Sequence, residues 1–141
     1  MKIGFTGTQT GMCKEQKKML YNILTELKQS KETLPTEFHH GDCIGADKEA
    51  HDIVQLIGGI DLILHPPEND KKRAFCEGYA RRAHPKPYLE RNRRIVDSVD
   101  LLIVAPKEQE ETLRSGTWST YRYAKRTNVG RIVILPRSED Q

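Results

Sequence analysis

Three stretches of this sequence set glycine among short polar side chains: Thr6-Gly7-Thr8-Gln9-Thr10-Gly11, Gly41-Asp42-Cys43-Ile44-Gly45-Ala46-Asp47 and Arg114-Ser115-Gly116-Thr117-Trp118. Glycine lets a backbone approach a ligand closely, and the unpaired N–H groups that open a helix hold an anion. In the third stretch Ser115, Gly116 and Thr117 are candidate phosphate contacts, and Ser115 is equally suited to be a helix N-cap. Trp118 is the only tryptophan; it suits stacking on a base or packing in a core. Gly7 and Thr8 repeat the logic in the first stretch, without a GxGxxG or P-loop lysine pattern. In the second, Gly41, Asp42, Gly45 and Asp47 stand together. A carboxylate there holds ribose hydroxyls or acts as a base, and either aspartate also suits a helix cap.

A fourth stretch, Glu90-Arg91-Asn92-Arg93-Arg94, precedes the most apolar run of the chain. Arg91 and Asn92, at the start of a predicted helix, are the candidate phosphate clamp; Arg93 and Arg94 read as a solvated face. Asp42 and Glu90 are the candidate catalytic carboxylates. His39, His40 and Cys43 lie close in sequence, and a fourth metal ligand would have to come from His51, His65 or Cys76. With no CxxC and no HExxH, neither a metal nor a cofactor is expected.

These residues need elements to position them. Lys2–Thr6, Thr36–His40, Ile60–His65, Asp100–Ala105 and Arg131–Leu135 read as five strands. Helical spacing fills about Met12–Gln29, Gly45–Leu56, Tyr88–Ser98 and Thr117–Asn128. Gly58-Gly59 stops the second helix, and Asn128 with Gly130 stops the fourth. Glu68 to Pro87 is basic and aperiodic, a long loop with one helical turn. Strands alternating with helices imply α/β architecture: one Rossmann-like doubly wound domain over residues 1–136, with a mainly parallel five-stranded sheet and helices on both faces. Residues 137–141 read as a charged tail. The doubly wound rule places the ligand at the carboxyl edge of the sheet, where all three glycine stretches fall.

The 141 residues carry a net charge of +3, which suits a phosphate-bearing ligand but does not by itself announce a nucleic-acid binder. No apolar run approaches the roughly 18 residues of a membrane span. Three cysteines without paired spacing read as free thiols, so a cytoplasmic setting without a membrane partner is expected. Many proteins of this shape are dimers or tetramers, so a homo-oligomer is one expectation, with no interface specified.

The run Gly41–His51 resembles the glycine-containing helix start of the DNA-processing protein A family, where a G-x-D-x-x-A-H run occurs. Glu90–Val96 resembles that family's R-N-R-x-I segment. Ser115-Gly116-Thr117 followed by Tyr121-Arg122-Tyr123-Ala124 resembles its S-G-[ST] loop and helix. The wider group is the SLOG superfamily, which includes the Lonely Guy phosphoribohydrolases. The resemblance implies a nucleotide or nucleotide-derived ligand at the three loops, bound by a sensor or binding module. It also implies two alternatives: a nucleoside 5′-monophosphate N-glycosidase, and a single-stranded DNA binder, for which Lys71 to Arg94 supplies charge and Tyr79 and Tyr88 supply stacking. Against the Lonely Guy PGGxGTxxE motif, a proline and a glycine are missing, and Thr120 stands at the glutamate position.

Overall fold

The computed structural model describes residues 1–127 and 129–138. Asn128 and the last three residues of the charged tail lie outside them. The chain runs β1 (Lys2–Gly7), α1 (Lys14–Leu27), β2 (Glu37–His40), α2 (Ala46–Ile57), β3 (Asp61–Leu64), a 3₁₀ turn (Asp70–Lys72), β4 (Arg81–Arg82), α3 (Tyr88–Asp97), β5 (Leu101–Ala105), α4 (Gly116–Arg126) and β6 (Arg131–Ile134). All neighbouring strands pair in parallel, in the order β4-β3-β2-β1-β5-β6. This is a Rossmann-like sheet. The order reverses between β1 and β5, which opens a crevice at their carboxyl ends.

The sheet has six strands where the sequence pattern gave five. The extra one, β4, is two exposed arginines that extend the β3 edge through Ile63↔Arg81 and Leu64↔Arg82. Two charged residues carry no apolar alternation, so nothing in their pattern marks a strand. The helical turn expected in the same segment is the one at Asp70–Lys72.

Apolar side chains explain the layers. β5, Leu101–Ala105, is buried throughout and is covered on both faces. On one face Leu20 and Leu24 of α1 and Ala50 and Val54 of α2 pack with Phe5, Phe38 and Ile103. Phe5 and Phe38 lie with ring centroids 5.8 Å apart, and burying such a side chain contributes about 1.5–3 kcal/mol. On the other face Val96 of α3 and Ala124 of α4 pack with Leu102 and Val104. Gln16 ties the first layer to the sheet's carboxyl edge. Its amide nitrogen donates to the carbonyls of Pro106 and Leu135, both at 2.9 Å, and its oxygen accepts from the Cys13 N–H at 3.1 Å.

The turn into α2 depends on Gly45. It has φ +84°, and a Cβ there would collide with the carbonyl of Gln9. Strained φ and overpacking each cost about 1–3 kcal/mol. Gly45→Ala is therefore expected to lower the urea-unfolding free energy by about 2–4 kcal/mol; a loss within 0.5 kcal/mol of zero would contradict this account of the turn.

Candidate ligand-binding cleft

A cleft of about 630 Å³ opens over the carboxyl ends of β1, β2, β3 and β5. That volume suits a small-molecule site. After β1 it is walled by Thr6 to Thr10. Gly41, Cys43 and Asp47 follow β2, and Asn69, Lys71 and Lys72 follow β3. Tyr88, Arg91 and Asn92 come from α3, and Lys107, Glu108, Ser115, Gly116 and Thr117 from the β5–α4 connection. Nine residues singled out from sequence meet here: Gly7, Thr8, Gly41, Asp47, Arg91, Asn92, Ser115, Gly116 and Thr117.

The first turn of α4 forms one end. Ser115 Oγ accepts from the Trp118 N–H at 3.2 Å, so it is the N-cap as well as a wall residue. The N–H groups of Gly116 and Thr117 have no acceptor among the described residues. A Cβ on Gly116 would meet nothing within 4 Å, so its backbone lies open. Unpaired donors at a helix N-terminus attract an anion. Thr8 joins the surrounding loops: its N–H donates to Ala105 at 3.1 Å, and its carbonyl accepts from Gly11 at 3.2 Å and Ala46 at 2.9 Å.

Arg91 lies beneath the other end and is buried. Its Nη1 donates to the carbonyls of Gly41 (2.5 Å) and His65 (3.2 Å), and its Nε donates to Asn92 Oδ1 at 2.7 Å. Gly41 is squeezed between Arg91 and Asp47, whose Oδ2 would lie 3.0 Å from a Cβ. That oxygen accepts from the Cys43 N–H at 3.2 Å. Burial pushes the Asp47 carboxyl up to about 6, although Arg91 and the backbone donors pull it down. Burial, with Asp47 adding to it, pushes the Cys43 thiol up to about 11, so it stays protonated near neutrality and is a poor nucleophile.

Four expected site residues fall elsewhere. Asp42, fully buried with φ +54°, turns away from the cleft. Its Oδ2 accepts from Arg73 Nε at 2.8 Å, its Oδ1 from the Cys76 N–H at 2.9 Å, and its carbonyl from the Ala74 N–H at 2.8 Å. It fastens residues 73–76 to the end of β2. Glu90 is exposed in a separate groove with Lys86, Arg93, Arg94, Asp97 and Ser98, because α3 presents Arg91 and Asn92 to the cleft instead. Gly45 lies behind the wall against Gln9. Trp118 is buried against the edge of Tyr121, with ring centroids 5.4 Å apart.

Four of the five histidines form two hydrogen-bonded chains. The Asp42 N–H donates to His40 Nδ1 at 3.0 Å, which leaves the His40 proton on Nε2. That proton faces His51 Nδ1 at 2.9 Å, and His51 Nε2 then donates to the Glu77 carbonyl at 2.6 Å. Burial and the neighbouring His51 hold His40 well below its ordinary pKa. His40, His51 and Cys76 place ligand-type atoms within 4.8 Å of one another. A metal on His40 Nε2 would have to displace the proton that this chain keeps there. In the second chain Arg94 Nε donates to His65 Nδ1 at 3.1 Å, so His65 Nε2 donates to His39 Nδ1 at 2.8 Å and His39 Nε2 faces Glu37 at 2.8 Å. Burial, mainly, pulls His65 down to about 3.

Sequence reading put Gln9 and Thr10 in a ligand loop without singling them out, did not place Asn69, Lys107 or Glu108 at the site, and read Lys71, Lys72 and Tyr88 only as a basic, aromatic stretch. No motif marks the residues outside that loop. Their one shared signal is a position in a connection that follows a strand's carboxyl end, or at the helix start that such a connection leads into.

A scan against protein-family models finds no match, and a search of curated proteins finds no relative. Solved structures do match. A molybdenum cofactor binding protein from the phototrophic bacterium Rippkaea orientalis superposes with TM-score 0.66 at 17% identity, covering 94% of this chain and 74% of its own. TM1055, a structural-genomics target, superposes with TM-score 0.58 at 15% identity, covering 89% and 69%. At these identities the likeness is one of fold. Among the described residues no helix is long and apolar enough to cross a membrane.

Two outcomes test this geometry. Asp42→Ala leaves Arg73 without its buried partner and is expected to cost about 3–5 kcal/mol in urea unfolding; a cost under 1 kcal/mol contradicts the fastening role. Asp47 has a folded pKa above its ordinary 3.8, so its contribution to stability is complete below about pH 4 and is lost as pH rises through about 6. Asp47→Asn is therefore expected to match wild type in Tm at pH 4 and to exceed it by several degrees at pH 8. A difference that does not change with pH contradicts the burial of this carboxyl.

Proposed function

We propose that the cleft binds a nucleotide or nucleotide-derived anion, as a sensor or binding module of the SLOG type. The observation that carries this reading is the pair of uncommitted N–H groups on Gly116 and Thr117, open to a cleft at the strand-order reversal. Lys71, Lys72 and Lys107 on the same walls add positive charge. The motif resemblance supports the SLOG assignment, and a structural neighbour described as cofactor-binding supports a ligand on this fold.

A second reading, hydrolysis of a nucleotide N-glycosidic bond, is favoured by Asp47 alone. It is a buried carboxyl on the cleft wall with a pKa near 6, within the range that suits general acid–base work. Asp42 and Glu90 lie off the wall; of the two carboxyl groups on it, Asp47 and Glu108, Asp47 is the buried one, so it is the carboxylate of this reading.

Incubation with a mixed panel of nucleoside monophosphates, followed by mass spectrometry of the solution and the gently desalted protein, separates the two. Intact nucleotide retained on the protein supports the binding module. Free base with ribose phosphate, lost in Asp47→Asn, supports the hydrolase. The absence of both retained nucleotide and free base would contradict both readings. A substitution probes the anion site directly. Gly116 is the first residue of α4, where proline is tolerated, and Ser115 before it is extended, as a residue preceding proline must be. Gly116→Pro removes one donor and should weaken nucleotide binding about tenfold or more, with Tm unchanged or raised. Unaltered affinity would place the anion elsewhere.

A further inference from the structure

Tyr88 and Asn92 stand four residues apart on α3, so they share a helix face; both line the cleft and both are half-buried. Between them Arg91 is buried and held by the carbonyls of Gly41 and His65. Its guanidinium carbon lies 5.2 Å from the centroid of the Tyr88 ring, and among the described residues no other ring or cation stacks there. Phe5, the other aromatic residue on the cleft wall, is fully buried, so Tyr88 is the ring that a ligand can reach.

Arg91 also fixes the Asn92 amide. Its Nε can only donate, so the Asn92 atom facing it at 2.7 Å is Oδ1. Nδ2, with two N–H donors, is left over. It has no partner among the described residues, and it is not sealed from solvent. The outcome is a cation-backed ring beside a donor pair of fixed orientation. A phosphate or a sugar has no flat face to lay on that ring. A nucleobase has one, and its edge carries ring-nitrogen or carbonyl acceptors.

We propose that α3 holds the base of the nucleotide: Tyr88 stacks on it, Asn92 Nδ2 donates to its edge, and Arg91 positions both side chains from beneath. This rests on the nucleotide-binding reading and deepens it, and none of these groups belongs to α4.

The test is calorimetric titration of the intact protein with ribose 5-phosphate and with the four ribonucleoside 5′-monophosphates, because the ratio of their affinities isolates the base. In wild type the preferred nucleotide should bind about tenfold or more tighter than ribose 5-phosphate, the increment expected of one stacked base. Tyr88→Ala should bring that ratio to about three or below, and Tyr88→Phe, which keeps the ring, should hold it within about twofold. Asn92→Asp keeps an acceptor for Arg91 Nε and the shape of the side chain but removes both donors, so the ratio should fall about threefold or more. A wild-type ratio near one, a ratio that survives Tyr88→Ala or Asn92→Asp, or a ratio abolished by Tyr88→Phe would overturn the proposal and leave anion binding in the cleft intact. If neither ribose 5-phosphate nor any nucleotide binds, the nucleotide-binding reading itself falls, and this proposal with it.

Discussion

Arg91 reaches from the first turn of α3 beneath the carboxyl ends of β2 and β3 and donates to the carbonyls of Gly41 and His65. Removing a guanidinium from water is costly unless its donors are used. Here two carbonyls and the Asn92 side chain use them, and Cys43 Sγ lies 3.7 Å from both terminal nitrogens. The contact also explains Gly41, since any Cβ there would strike the guanidinium. Arg91 is therefore first a clamp on the protein. Its charge reaches the cleft as a field beneath the floor, and it fixes where the β2 and β3 connections begin.

The chemistry of the cleft follows from that frame. Asp47 lies beside Gly41 and Cys43, balanced between burial, which raises its pKa, and Arg91 with the backbone donors, which lower it. Across the cleft, α4 begins with two N–H groups that take no acceptor among the described residues. Lysines stand at the mouth, and a partly buried glutamate stands among them. The walls are thus of mixed sign, with lysines and the open α4 N–H groups set against the Asp47 and Glu108 carboxyl groups. The histidine chains lie behind these walls and are closed within themselves. Their protons are committed from Asp42 to Glu77 and from Arg94 to Glu37, so they stiffen the β2 and β3 ends rather than serve a ligand.

Much of this was legible in the chain. The apolar runs and helical spacing placed five strands and four helices within about two residues, because all but β6, which is only half-buried, bury an apolar run or face. The Gly-containing ends of β1, β2 and β5 were legible because tight turns and helix starts require particular residues. The two-residue strand Arg81–Arg82 was not, since its pairing with β3 is purely backbone. Asp42 read as a ligand contact because its neighbours are site residues; only its positive φ, set by the fold, turns it toward Arg73. Glu90 failed to reach the cleft for a simpler reason: one residue along a helix is a rotation of about 100°. Glu108 left no local mark at all, because the burial of one carboxylate oxygen depends on how an acidic connection folds back.

The central claim is that an anionic nucleotide sits on the first turn of α4. Titration of the ¹⁵N-labelled protein with nucleoside 5′-monophosphates, followed by amide chemical shifts, tests it at residue resolution. The account requires saturable shifts largest at Gly116 and Thr117, with smaller ones at Thr8 and Asp47. Shifts confined to the Lys86–Ser98 groove, or none at the start of α4 at saturating nucleotide, would contradict it.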